Sequence, residues 1–151
     1  MKAIIILGLL WSLNSFAKSN CIDFSGSYRL NNEFSEEPIT LKIDQTDCEK
    51  IQLNYYDDNK LTGSEVFELN NKKVKLREFS DIGLVIYATP YFKENDIVID
   101  LENKWSDGKS DFFKRRFHLE FSTSIHLLDQ RGDFRADGPF VPSSQTEYIR
   151  E

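Results

Sequence analysis

From Phe24 onward the chain alternates apolar and polar positions with period two, almost without interruption. Phe24, Gly26, Tyr28 and Leu30 share one side of a first extended segment. Ile39, Leu41 and Ile43 mark a second, and Ile51, Leu53 and Tyr55 a third. The series continues through Phe67 and Leu69, Val74 and Leu76, Leu84, Ile86 and Ala88, and Ile97, Ile99 and Leu101. Next comes FFKRRFHLEF (residues 112–121), where Phe113, Phe117, Leu119 and Phe121 alternate with charged residues, and then Ile125 and Leu127. Period two is the mark of a strand with one buried face. Turn chemistry separates the segments at Asp57-Asp58-Asn59, Asn70-Asn71, Asp81-Ile82-Gly83, Asn95-Asp96 and Ser106-Asp107-Gly108. The pattern predicts an all-β, single-domain antiparallel meander of eight or nine strands. An open sheet would leave the apolar face wet and two edges exposed, and closing the meander into a barrel removes both problems. Short hairpins without a long crossover favour the barrel over a two-sheet sandwich.

One register test supports the first hairpin. If Leu30 lies opposite Ile39, then Tyr28 faces Leu41, Gly26 faces Ile43 and Cys21 faces Cys48. The same register gathers the apolar residues and brings the chain's two cysteines together. Directly opposed strand residues have Cβ atoms about 4.5–5.5 Å apart, within reach of a disulfide after small adjustment. The pair Cys21–Cys48 is therefore expected to be bridged, which suits an oxidising compartment.

The N-terminus points to the same compartment. Lys2, the apolar run Ala3 to Leu13 and the small-x-small sequence Ser15-Phe16-Ala17 have the layout of a cleaved signal peptide. The run is well short of the roughly 20 apolar residues that span a bilayer. Expected boundaries are a signal peptide over 1–17 and a barrel domain over 18–151, with a loop-rich tail from 131. Thr146 to Arg150 is a possible final strand, and Phe134, Phe140, Tyr148 and Ile149 are candidates to clasp one barrel end. Periplasmic or secreted localisation follows. The net charge of −6 disfavours nucleic acid and anionic membrane as partners.

Residues DFSGSYRL (23–30) resemble the first strand of the lipocalin-like (calycin) barrels. Those barrels carry Gly-x-Trp there, with an arginine of the last strand stacked on the Trp. Gly26-Ser27-Tyr28 supplies the glycine and places tyrosine where the family has Trp; Arg131 or Arg135 is the expected late arginine. The resemblance implies a lipocalin-like barrel that binds a small apolar ligand.

Arg115 breaks the apolar series of its strand. Three readings stay open: an inward contact for an anionic ligand head, a mouth residue reaching water or Glu78, or a bulge that reverses the parity. With Arg115 as polar contact, the expected ligand lining is Tyr28, Phe67, Ile86, Ile99, Phe117 and Leu119, beside Leu41 and Leu53. If Phe121 faces Ile125, then Glu120 faces His126 with His118 diagonal to it, an outer-face group with the chemistry of a zinc site; solvated surface is the alternative. Arg131-Gly132-Asp133 matches an integrin-recognition tripeptide and equally a turn, with glycine supplying positive φ. Tyr56, Phe79, Val85 and Tyr87 give the outer face apolar surface suited to a protein contact or to cover by the tail. No Gly-x-Ser-x-Gly, phosphate-cradling glycine loop or His-Glu-x-x-His occurs. The expected function is an exported, non-catalytic barrel for a small apolar or amphipathic molecule, with no cofactor. The alternative is a protein-binding module such as an inhibitor of a secreted hydrolase.

Overall fold

The computed structural model describes residues 21–31, 39–133 and 140–151. The stretch expected as a signal peptide (1–17) and the tail residues Phe134 and Arg135 lie outside the described residues. Ten strands follow in order: β1 Gly26–Leu30, β2 Ile39–Thr46, β3 Lys50–Asp57, β4 Lys60–Glu68, β5 Val74–Phe79, β6 Leu84–Lys93, β7 Asp96–Trp105, β8 Ser110–Phe121, β9 Ile125–Asp133 and β10 Ser144–Arg150. They form one antiparallel sheet in the order β4-β3-β2-β1-β10-β9-β8-β7-β6-β5. Consecutive hairpins build two halves, and the β1–β10 ladder joins them. The fold class is as the alternation predicts. The tenth strand, beyond the expected eight or nine, comes from the tail: Ser144–Arg150 pairs with both β1 and β9.

The β1–β2 register is the expected one, with Gly26 opposite Ile43 and Tyr28 opposite Leu41. Cys21 and Cys48 are bridged, with Cα atoms 5.7 Å apart. Turns fall where the chemistry placed them. Asp58 and Asn59 both have positive φ at the β3–β4 hairpin, and Gly83 and Gly108 supply φ of 62° and 87° at the β5–β6 and β7–β8 hairpins. Two bulges adjust the alternation. Thr62 is the extra residue of β4, between the pairs Tyr55–Gly63 and Tyr56–Leu61. Leu76 is the extra residue of β5, between Lys75–Tyr87 and Arg77–Ile86. The second bulge corrects the reading of strand five. It carries Phe79, expected outside, to the face of its partner Leu84, and brings Arg77 to the face of Ile86.

Inward residues of every strand but β5 meet in a continuous apolar core that includes Tyr28, Leu41, Leu53, Phe67, Ile99 and Phe117. One barrel end is closed. The Tyr28 hydroxyl donates to the Phe24 carbonyl at 2.7 Å, and Phe24 packs on Phe92 with ring centroids 6.3 Å apart. Arg150 lies over the Tyr28 ring, 5.8 Å from its centroid, and donates to the Ser25 carbonyl. The late arginine is thus Arg150 of the last strand, not Arg131. Gly26 makes the stack possible: its φ is +154°, and a Cβ there would stand 2.7 Å from Arg150 Nε.

Gly26→Ala is therefore expected to lower unfolding free energy by about 1–3 kcal/mol, through backbone strain and displacement of the Arg150 stack. Gly63→Ala, whose Cβ would meet only Tyr55 at an ordinary 3.6 Å, should change it by less than about 1 kcal/mol. Urea denaturation of the two variants checks the contrast.

Candidate functional site

Arg115 sits mid-strand in β8, directly opposite Ile99 of β7 and Arg131 of β9, in ladders without irregularity. No bulge reverses the parity, so the side chain points inward, and it is 7% exposed. Nε donates to Asp129 Oδ1 at 2.9 Å and Nη2 to Asp129 Oδ2 at 2.7 Å. Nη1 donates to Glu65 Oε2 at 3.0 Å. Nη2 also donates to the Tyr55 hydroxyl at 2.6 Å, which in turn donates to Glu65 Oε2 at 3.2 Å. The guanidinium lies over the Phe117 ring, 4.5 Å from its centroid. Glu78, the expected mouth partner, pairs instead with Lys75.

These contacts are long-range in the sheet. β8 and β4 are separated by five strands in the ladder order, yet Arg115 touches Glu65 of β4. Only a sheet curled on itself brings those faces together. Burying three formal charges is costly, and the bidentate fork with its added hydrogen bonds is the geometry that offsets desolvation. Burial alone would lower the Arg115 pKa; the hydrogen bond and charge of Asp129 more than offset it and hold the pKa above its ordinary value. Burial likewise pushes Tyr55 up to about 12, with Glu65 acting in the same direction against the charge of Arg115.

The ligand-head reading of Arg115 needed a guanidinium without a neutralising carboxylate. Asp129 corrects that: the fork is occupied from within the chain. Both missed partners were visible in the parity. Glu65 stands two residues before inward Phe67, Asp129 two after inward Leu127, and Tyr55 was already in the inward series.

Beside this cluster lies a cavity of about 530 Å³. Its position follows from the one ladder that is missing: β4 and β5 are consecutive strands and sheet neighbours of β3 and β6, but they do not pair with each other. The cavity fills that seam. Val66, Leu76, Ile86, Leu101 and Phe113 provide apolar wall, while Glu65 and Arg115 form a polar floor and Arg77, Arg131 and Asp133 stand around it. Of the expected lining, Arg115 and Ile86 reach the cavity. Tyr28, Phe67, Ile99, Phe117 and Leu119 are packed into the core instead, because large side chains fill the interior on the far side of Arg115.

The outer-face candidates separate. Glu120 does lie opposite His126, but His126 Nδ1 bonds Glu147 at 2.5 Å and His118 Nδ1 bonds Asp96 at 2.6 Å. Among the described residues no group of three or more His, Cys, Asp or Glu converges on a point. Arg131-Gly132-Asp133 is the end of β9 rather than a turn. Gly132 is needed for close approach, since a Cβ there would stand 2.5 Å from the Val141 carbonyl oxygen. Phe140, expected at a barrel end, packs outside over Arg116, 5.0 Å from the guanidinium carbon.

No family model and no curated protein matches the sequence. Among solved structures the chain is similar to a mutant of the fluorescent protein UnaG, at 14% identity and a TM-score of 0.52, over 84% of this chain and 94% of that one. The fold is thus that of the lipocalin-like (calycin) barrels, as the Gly26-Ser27-Tyr28 resemblance implied.

Two outcomes test the cluster. Arg115→Met leaves Asp129 and Glu65 inside without their cation and should cost about 3–5 kcal/mol of stability, whereas adding Asp129→Leu should recover much of that loss; equilibrium denaturation of both variants checks this. Tyr55 holds its proton to about pH 12 in the folded chain but to about 10 when unfolded. Its raised pKa stabilises the fold fully below pH 10, a contribution lost as pH rises toward 12. Stability should decline across that window less steeply in Tyr55→Phe than in the unmodified protein, as read from denaturation midpoints at successive pH values.

Proposed function

We propose that this protein is an exported, non-catalytic barrel that holds a small apolar or amphipathic molecule in the seam cavity. The observation that carries the reading is the pairing of an apolar wall with a preformed polar floor in one cavity of about 530 Å³. Small-molecule sites are commonly about 300–1,000 Å³, mostly apolar, with a few fixed polar groups. Here the wall comes from β4 to β8 across the unpaired seam, so the opening needs no strand to move. Arg115 and Asp129 are satisfied by one another, which suits a binding floor better than acid–base chemistry on a substrate. Export is supported by the N-terminal signal layout and by the Cys21–Cys48 bridge. Among the described residues no helix is long and apolar enough to cross a membrane.

A dansyl-labelled C11 fatty acid should bind saturably with a blue-shifted emission and be displaced by unlabelled decanol. Leu76, 37% exposed at the cavity wall, gives a site to fill. Leu76→Trp should weaken the probe about tenfold or more, about 1.4 kcal/mol, without lowering the thermal midpoint. Absence of saturable binding by probe and decanol alike would overturn the reading and favour the protein-partner alternative.

A further inference from the structure

The floor and the mouth of the cavity differ in what they ask of a ligand. At the floor, Arg115 spends four of its five N–H donors on Asp129, Glu65 and the Tyr55 hydroxyl. Glu65 Oε2 accepts from Arg115 and from Tyr55. Glu65 Oε1 accepts from no group among the described residues, and the Glu65 side chain is 28% exposed beside the cavity. One cation there faces two carboxylates. The vacancy at the floor is therefore an acceptor. A ligand carboxylate placed there would be a third carboxylate against one cation, with a single Nη1–H of Arg115 left to donate to it.

The mouth is the reverse. Arg77 is exposed, lines the cavity, and is paired with no carboxylate among the described residues; its guanidinium lies over the Phe79 ring, 5.7 Å from the centroid. Arg131 is mostly exposed and stands 3.9 Å from Asp129 Oδ2, a long contact. Asp133 is the acid beside them, leaving one positive charge in excess. Lys114, also lining the cavity, is paired with Asp100 at 3.3 Å.

We infer that the ligand enters with a hydrogen-bond donor, a hydroxyl or N–H, aimed at Glu65 Oε1, and leaves an acid group at the mouth beside Arg77 and Arg131. The ligand class is an amphipathic acid that carries a donor at the end remote from its acid. The inference rests on the small-molecule reading above. It places the acid away from Arg115, the one arginine buried among the described residues, because that arginine is already neutralised.

Three acids of one chain length test it by displacement of the dansyl probe: 10-hydroxydecanoic acid, its methyl ether 10-methoxydecanoic acid, and decanoic acid. The hydroxy acid should bind about tenfold more tightly than the methoxy acid, the usual scale of one hydrogen bond to a charged acceptor. Glu65→Leu should bring those two level. Arg77→Gln with Arg131→Gln should weaken all three acids more than it weakens decanol. Equal affinity of the hydroxy and methoxy acids for the unmodified protein would overturn the orientation, as would an undiminished hydroxyl advantage in a folded Glu65→Leu variant. Should that variant not fold, judged by its thermal midpoint, the ranking on the unmodified protein decides alone. Loss of decanol binding as well would instead sink the cavity reading itself, so the two failures are distinguishable.

Discussion

The fork between Arg115 and Asp129 is the contact around which the interior is arranged. It joins neighbouring strands β8 and β9, but its reach to Glu65 and Tyr55 ties that side of the barrel to β3 and β4. A guanidinium in an apolar interior must be fully satisfied or it destabilises the fold. Here four of its five N–H groups are bonded and one aromatic face covers it. Because the partners come from opposite sides, the cluster also sets how far apart those sides stand. It divides the interior in two. Below it, Phe117, Phe67, Leu119 and Tyr28 fill the barrel; above it, the side chains at the cavity do not meet.

The filled half is closed by a second cation. Arg150 covers Tyr28, and Tyr28 is fixed by its bond to the Phe24 carbonyl. Both arginines use an aromatic ring on one side and oxygen acceptors on another, yet they act at different places. Arg150 seals an end, whereas Arg115 bridges the middle. With the disulfide fastening Cys21 beside β2, the closed end is held by covalent, polar and apolar contacts together. The seam between β4 and β5 is the part of the wall without a ladder among the described residues.

Alternation made the strands, the first register, the turns and the disulfide legible, because each depends on near neighbours in sequence. It also placed Glu65, Tyr55, Asp129 and Arg115 on the inner face. What it could not say was that these four meet, since strand curvature brings together residues up to 60 positions apart, as Arg115 and Tyr55 are. The late arginine was misplaced for a similar reason. Arg131 precedes the tail, and only pairing of β10 with β1 puts Arg150 over Tyr28. The bulge at Leu76 was hidden because strand five is mostly exposed; an apolar pattern that buries nothing gives no test of parity. Ligand lining was over-assigned because inward does not mean hollow: the interior residues that fit one another are core, and cavity begins only where they stop.

An unpaired seam raises a further physical question, because two free strand edges invite pairing with other chains. The sequence answers it locally. β5 carries Lys75, Arg77 and Glu78, with Lys72 and Lys73 just before it, while β4 carries Glu65 and Glu68 against Lys60. Charges of this kind resist edge-to-edge association, and the Leu76 and Thr62 bulges break the regular edge that a partner strand would need. Opposite signs dominate the two edges, so the seam is not held apart by repulsion. The bulges at Thr62 and Leu76 break the regular spacing that a β4–β5 ladder would need. A ligand lodged there would touch both edges at once, and its binding energy would act across the one ladder the sheet lacks. Occupancy should therefore tie β4 to β5 where no ladder does, coupling whatever the cavity holds to the stability of the whole fold.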